Sequence, residues 1–134
     1  MPGIIGAAMS VRIDDEGRER RTRVVYVIDL KPEACDDRRA PCGGDCPRKP
    51  IYVGETGLDP AERFARHKAG KRASRWVHRY GWRVNPSLAT HLGEFASSTQ
   101  SEAAEQALAA ELRERGYCVR VGPPRQQSGI NIDQ

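Results

Sequence analysis

Five residues in this chain have types and spacing suited to work on a phosphodiester. Tyr26 sits in the run Val24-Val25-Tyr26-Val27-Ile28, and Tyr52 in Ile51-Tyr52-Val53-Gly54. Arg63 and His67 follow Asp59-Pro60-Ala61-Glu62, and Glu105 lies further on in a helix-like stretch. Residues four apart on a helix share a face, so Arg63 and His67 can grip a phosphate and handle a proton together. Two phenol hydroxyls on neighbouring strands can orient a water or hold a phosphate oxygen. A phenol with a pKa of about 10 is a weak base near neutrality unless its surroundings lower that value. A carboxylate at the edge of a core-facing helix surface suits a hard cation such as Mg²⁺, which often takes few protein carboxylates and fills its shell with water and substrate phosphates. Each group also has a plainer reading. The tyrosines fit ordinary strand positions, Arg63 and His67 a solvated helix face, and Glu105 a surface site. Arg66 and Lys68 suit the solvated face better.

Holding these groups together requires strands and helices, and the flanking sequence carries signals for both. Val24 to Leu30 is rich in β-branched residues and predicts a buried strand. Ile51 to Gly54 predicts a second, antiparallel to the first, joined to it by a connection from Lys31 to Pro50 that holds Pro32, Pro41, Pro47 and Pro50. Asp59 as N-cap, Pro60 in the first helical position and Glu62 in the third predict a helix running to about Lys68 and stopping at Gly70. Ala73, Trp76, Val77 and Tyr80 recur at helical spacing and predict a second helix closed by Gly81. Leu92 to Phe95 reads as a third strand. Thr99-Gln100-Ser101-Glu102 reads as a capping box. It opens a helix with Ala104, Leu108 and Leu112 on one face, Arg113 and Arg115 in the last turn, and Gly116 as terminator. Glu102, Glu111 and Glu114 are expected to face solvent. Tyr117 to Val121 reads as a final strand. The order implies a small sheet with helices packed on it, an α/β or α+β fold. Residues 1–23 are expected as a flexible lead-in, 24–121 as a single domain with a Cys/Pro-rich insert at 31–50, and 122–134 as a polar tail.

Composition narrows the partners. The chain has 134 residues, a net charge of +4 and a pI near 9.1. That balance permits nucleic-acid binding without demanding it. Its distribution says more: from Arg63 to Arg83, both included, there are eight Lys or Arg and no Asp or Glu. Lys68, Lys71, Arg72, Arg75, Arg79 and Arg83 surround Trp76 and Trp82, a strip that can track a nucleic-acid backbone while Trp82 stacks on a base. A solvated helix with Trp76 in the core would carry the same residues. No stretch reaches the roughly 20 apolar residues of a membrane span, and Met1 to Met9 lacks the basic start of a signal peptide. A cytoplasmic protein is therefore expected, with its four cysteines reduced or metal-bound rather than paired. Cys35, Cys42 and Cys46 fall close together and Cys118 far away. Four thiolates suit structural zinc, although the spacings are not the Cys-x-x-Cys knuckle.

Taken in order and spacing, these elements resemble the GIY-YIG nuclease domain. Val25-Tyr26-Val27 stands where that family has Gly-Ile-Tyr, and Tyr52-Val53-Gly54 is similar to Tyr-Ile-Gly. Arg63 stands at the family's arginine, His67 four residues on as in several branches, and Glu105-Gln106-Ala107-Leu108 resembles the family's glutamate segment. The resemblance covers residues 24 to about 121. Where branches have a lysine three residues after the second tyrosine this chain has Glu55, and where many have an asparagine after the metal-binding glutamate it has Tyr117. The resemblance implies a three-stranded, mostly antiparallel sheet flanked by helices. It also implies a DNA endonuclease using Mg²⁺ or Mn²⁺ held by Glu105, with Arg63 opposing phosphate charge and either a tyrosine or His67 relaying the proton from water. RNA would offer the same bond chemistry. The rival reading is a non-catalytic nucleic-acid-binding module on the same fold.

Overall fold

The computed structural model describes residues 11–13, 19–40, 42 and 46–122. Its centre is the antiparallel pair β3 (Arg23–Leu30) and β4 (Pro50–Thr56), in register from Val24↔Thr56 to Asp29↔Ile51. β5 (Gly81–Val84) adds antiparallel to β3, and β7 (Cys118–Val121) adds parallel to β4. β6 (Glu94–Phe95) also pairs with β3, through Arg23↔Phe95. The sheet is thus five-stranded and mixed, wider than the three strands expected, because β5 and β7 extend both edges of the central pair. The fold is α+β.

Side chains alternate across a strand, and here both faces of the sheet are covered. Val25, Val27, Ile51 and Val53 face α3 (Ser98–Glu114), packing with Leu108 and Leu112. Tyr26, Ile28, Leu30 and Tyr52 face the opposite way, toward Val77 of α2 (Arg75–Tyr80) and Phe64 of α1 (Pro60–Lys68). Burial on both faces explains why the β3 run is almost continuously apolar instead of alternating with polar residues. The exception, Asp29, accepts hydrogen bonds from Arg83 and Asn85.

α1 follows the predicted signals: the Asp59 side chain accepts the Ala61 N–H, and Gly70 follows the helix at φ 83°. α2 starts later than the periodicity implied, at Arg75, because the Ser74 hydroxyl caps it. α3 starts earlier. Its N-cap is Ser97, which accepts the Gln100 N–H, and Gln100 in turn accepts the Ala96 N–H. The capping box predicted at Thr99 is therefore already inside the helix. Leu92–Phe95 shortens to the two residues of β6, since Thr90–Leu92 coil into a 3₁₀ turn.

Part of the expected lead-in over 1–23 is described. β1 (Val11–Ile13) and β2 (Glu19–Arg21) pair antiparallel, Thr22 is buried, and Arg23 already belongs to β3. Residues 1–10 and 123–134, most of the expected polar tail, lie outside the described residues. Within the insert, a 3₁₀ turn at Pro32–Asp36 buries Ala34 and Cys35, and the Tyr80 hydroxyl donates to Asp37 at 2.6 Å. Among the described residues no helix is long and apolar enough to cross a membrane.

Candidate active site

Tyr26, Tyr52, Arg63 and Glu105 all line one open cleft of about 940 Å³, which also touches Gly54, Glu55 and Ser74. The two tyrosines arrive there because β3 and β4 are antiparallel with Tyr26 opposite Gly54. A side chain on residue 54 would not fit: a Cβ there would come within 2.8 Å of the Tyr26 ring and hydroxyl and 2.9 Å of the Tyr52 ring. Glycine at this position is what lets the two rings meet, with centroids 6.3 Å apart.

His67 lies behind the cleft wall, 1% exposed. It forms a triangle of rings with the tyrosines, with centroids 6.2 Å from Tyr26 and 5.7 Å from Tyr52. Its Nδ1 accepts the Ser74 backbone N–H at 2.9 Å, and its Nε2 is 2.8 Å from the Tyr26 hydroxyl. A peptide N–H can only donate, so Nδ1 carries no proton. Burial, helped by the charge of Arg63, pulls the His67 pKa down to about 4, so the ring is neutral. Its one proton therefore sits on Nε2 and is donated to the Tyr26 oxygen. The solvated polar face considered for Arg63 and His67 is replaced by a buried imidazole.

Arg63 is aimed by the turn after α1. Its guanidinium donates to the carbonyls of Lys71 at 3.3 Å and Arg72 at 2.8 Å. Arg72 holds φ 48°, in the left-handed region, and the same turn delivers the Ser74 N–H to His67. One short loop thus orients both the cation and the imidazole. Burial pushes the Tyr26 phenol up, neighbouring Tyr52 adds to this, and Arg63 opposes it. The Tyr52 phenol is likewise raised by burial and then by Glu105, with Ser74 and the charge of Arg63 opposing the rise. Both phenols are protonated near neutral pH.

Glu105 is half-buried on α3 at the cleft. Glu102, expected in solvent, is half-buried and lines the same cleft, whereas Glu111 and Glu114 are exposed as expected. Glu55 is committed elsewhere: it pairs with Arg23 at 2.6 Å and accepts the Ser101 hydroxyl at 2.7 Å. Sequence reasoning did not single out Arg23, Ser74 or Ser101. The available signal was the antiparallel register, which sets Val25 opposite Glu55 and so brings Arg23 alongside it.

The basic strip divides. Arg72 lines the cleft, while Lys71, Arg75 and Arg79 are exposed. Lys68 instead donates to the carbonyls of His78 and Gly81, which ties α1 to the end of α2. Arg113 of α3, not part of the predicted strip, lines the cleft as well. Trp82 is 49% exposed beneath Arg83, whose guanidinium is 4.2 Å from the ring centroid, and Trp76 packs on the core beside Tyr80.

Apart from the cleft, Cys35, Cys42, Cys46 and Cys118 bring their four sulfurs within 4.8 Å of one another, a set able to hold a metal ion such as zinc. No protein-family model matches the chain, and no curated protein or solved structure matches it, so residues and geometry alone carry the functional reading.

Proposed function

We propose that this protein is a divalent-metal-dependent endonuclease that hydrolyses DNA phosphodiester bonds in the cleft. The observation that carries this reading is convergence: Tyr26, Tyr52, Arg63 and Glu105 come from four different elements and line one opening. Arg63 is a fixed cation whose remaining N–H donors can meet the phosphate charge that builds in the transition state. His67 donates to Tyr26 and has no free lone pair, so the hydrogen-bond pattern favours Tyr26 over His67 as the group that exchanges a proton with water. The Tyr26 oxygen accepts from His67, so its own O–H is left to donate to a water or a phosphate oxygen in the cleft. Tyr52, in the same cleft, is placed to orient the water or a phosphate oxygen.

The donor set fits a hard cation of the Mg²⁺ or Mn²⁺ kind. Glu105 would hold it with Glu102 beside it in the same cleft, and Glu55 would take no part because Arg23 and Ser101 engage it. Such an ion, when bound, supplies charge at a phosphate oxygen and eases departure of the leaving oxygen.

The test is cleavage of supercoiled plasmid and of branched and single-stranded DNAs with Mg²⁺, Mn²⁺ or EDTA, with Glu105→Gln in parallel. Cutting should require metal and fall at least about 100-fold in the variant, the scale of losing one transition-state charge contact. Equal cutting by both proteins would sink the role given to Glu105. Binding without cutting under any metal would instead identify a nucleic-acid-binding module. The observation favouring that rival is Glu55, locked in an ion pair where several family branches carry lysine.

A further inference from the structure

We propose that Cys35, Cys42, Cys46 and Cys118 bind one structural Zn²⁺ as four thiolates, and that this ion staples the β3–β4 connection to the edge strand β7. The inference is independent of the nuclease reading. The sulfurs lie within 4.8 Å of one another, and those of Cys35 and Cys46 are 3.2 Å apart. A tetrahedral site with Zn–S bonds of about 2.3 Å separates its sulfurs by about 3.8 Å, so the cage has the size of a single ion. A cluster of several irons would hold its cysteine sulfurs farther apart. All four cysteines are free thiols, and four converging on one point suit a metal better than two disulfides.

The surroundings match a thiolate shell. The Arg48 N–H donates to Cys46 Sγ at 3.3 Å, in a turn where Arg48 adopts φ 61°. The Arg120 guanidinium donates to Cys42 Sγ at 3.4 Å and to the Ala34 carbonyl at 3.3 Å. Such donors orient ligand sulfurs and offset the negative charge of a tetrathiolate ion. A tetrahedral four-sulfur site accepts zinc or iron, and the affinity order of divalent metals places Zn²⁺ above Fe²⁺.

Topology shows what the ion would do. β4 and β7 are parallel, with Pro50 opposite Cys118 and the Cys118 N–H bonded to the Lys49 carbonyl. Parallel neighbours cannot be joined by a tight hairpin, and among the described residues β7 has a partner on one side only. Three ligands precede β4 and the fourth opens β7, so one ion would fix the starting ends of both strands. From Cys118, β7 runs about 13 Å at roughly 3.3 Å per residue to Gly122. Gly122 lines the cleft so close to Tyr52 that a Cβ there would approach its hydroxyl to 3.0 Å. The ion thereby holds one wall of the cleft from the far end of the strand.

The test begins with metal analysis and native mass spectrometry of full-length protein purified without chelator. The expected result is close to one zinc per chain and no iron. Cobalt substitution of the wild-type protein should give the ligand-field spectrum of a tetrahedral tetrathiolate site. Cys118→Ser should lose the zinc and melt at lower temperature. Stripping zinc from the wild type with a thiol-specific mercurial, then restoring thiols, should remove hydrogen-exchange protection from Val119 to Val121 while β3 keeps its own, and added Zn²⁺ should restore it. A zinc ratio near zero with no uptake on titration under reducing conditions overturns the site, as do stoichiometric iron or a Cys35–Cys46 disulfide in the intact mass. Bound zinc whose removal leaves β7 protection unchanged overturns the staple.

Discussion

His67 is a buried imidazole whose Nε2 meets the Tyr26 hydroxyl at 2.8 Å. Its spacing from Arg63 marks a shared helix face, but only the packed structure makes it neutral, 1% exposed and bonded at both ring nitrogens. That state has a pH consequence. In the unfolded chain His67 takes a proton as pH falls through its ordinary value of 6.5, while the folded protein takes it only near 4. The unfolded state therefore binds more protons across this window, so stability rises with pH through it and is lost as pH falls. Between pH 7 and pH 4.5 the wild type should lose about 2 kcal/mol more stability than His67→Gln, measured by urea unfolding. Parallel losses in the two proteins would mean that the folded imidazole is as free to ionise as an exposed one. The same close packing explains Gly54: a local sequence reading sees a strand residue, whereas the rings of Tyr26 and Tyr52 leave no room for a Cβ.

At the scale of elements, the start of α3 is decided by competition between two overlapping signals. Ser97-Ser98-Thr99-Gln100 and Thr99-Gln100-Ser101-Glu102 both fit a capping box, and sequence alone does not rank them. The structure uses the first, because Ser101 is buried with its hydroxyl on Glu55 and so must already be helical. Ser97→Ala should cost about 1 kcal/mol in chemical denaturation, the usual scale for a lost N-cap. Thr99→Ala, at an exposed helix position, should stay within about 0.5 kcal/mol of wild type. The opposite ranking would move the cap to Thr99. α1 presented no such contest, since Asp59 and Pro60 both mark one start, and the structure begins it there.

Over the whole molecule, charge is arranged around the cleft rather than along one helix. Arg72, from the turn after α1, and Arg113, from α3, both line it, while Lys68 is spent on carbonyls within the fold. If DNA occupies the cleft, Arg72→Ala combined with Arg113→Ala should weaken binding evenly across sequences. It should also flatten the dependence of log affinity on log salt by about 2, near one phosphate contact per arginine. Lys68→Ala should leave that slope unchanged and lower stability instead. Fluorescence anisotropy over a salt series reads both effects, and an unchanged slope in the double variant would remove the two arginines from the DNA-binding surface.

What the sequence determined by itself is what depends on near neighbours. The β-branched runs around Tyr26 and Tyr52, the Asp59-Pro60 start, and the Leu108/Leu112 stripe each specify an element through propensity and period, and each element forms where those signals lie. What the tertiary structure decided are contacts between residues far apart in the chain. The parallel docking of β7 brings Cys118 to Cys35, Cys42 and Cys46, the register of β3 on β4 pairs Arg23 with Glu55, and the turn after α1 holds Arg63 at the cleft and fixes the tautomer of His67. Such contacts arise from the mutual burial of surfaces that no local segment contains, and so their consequences for charge, proton position and metal geometry appear only when the chain is folded.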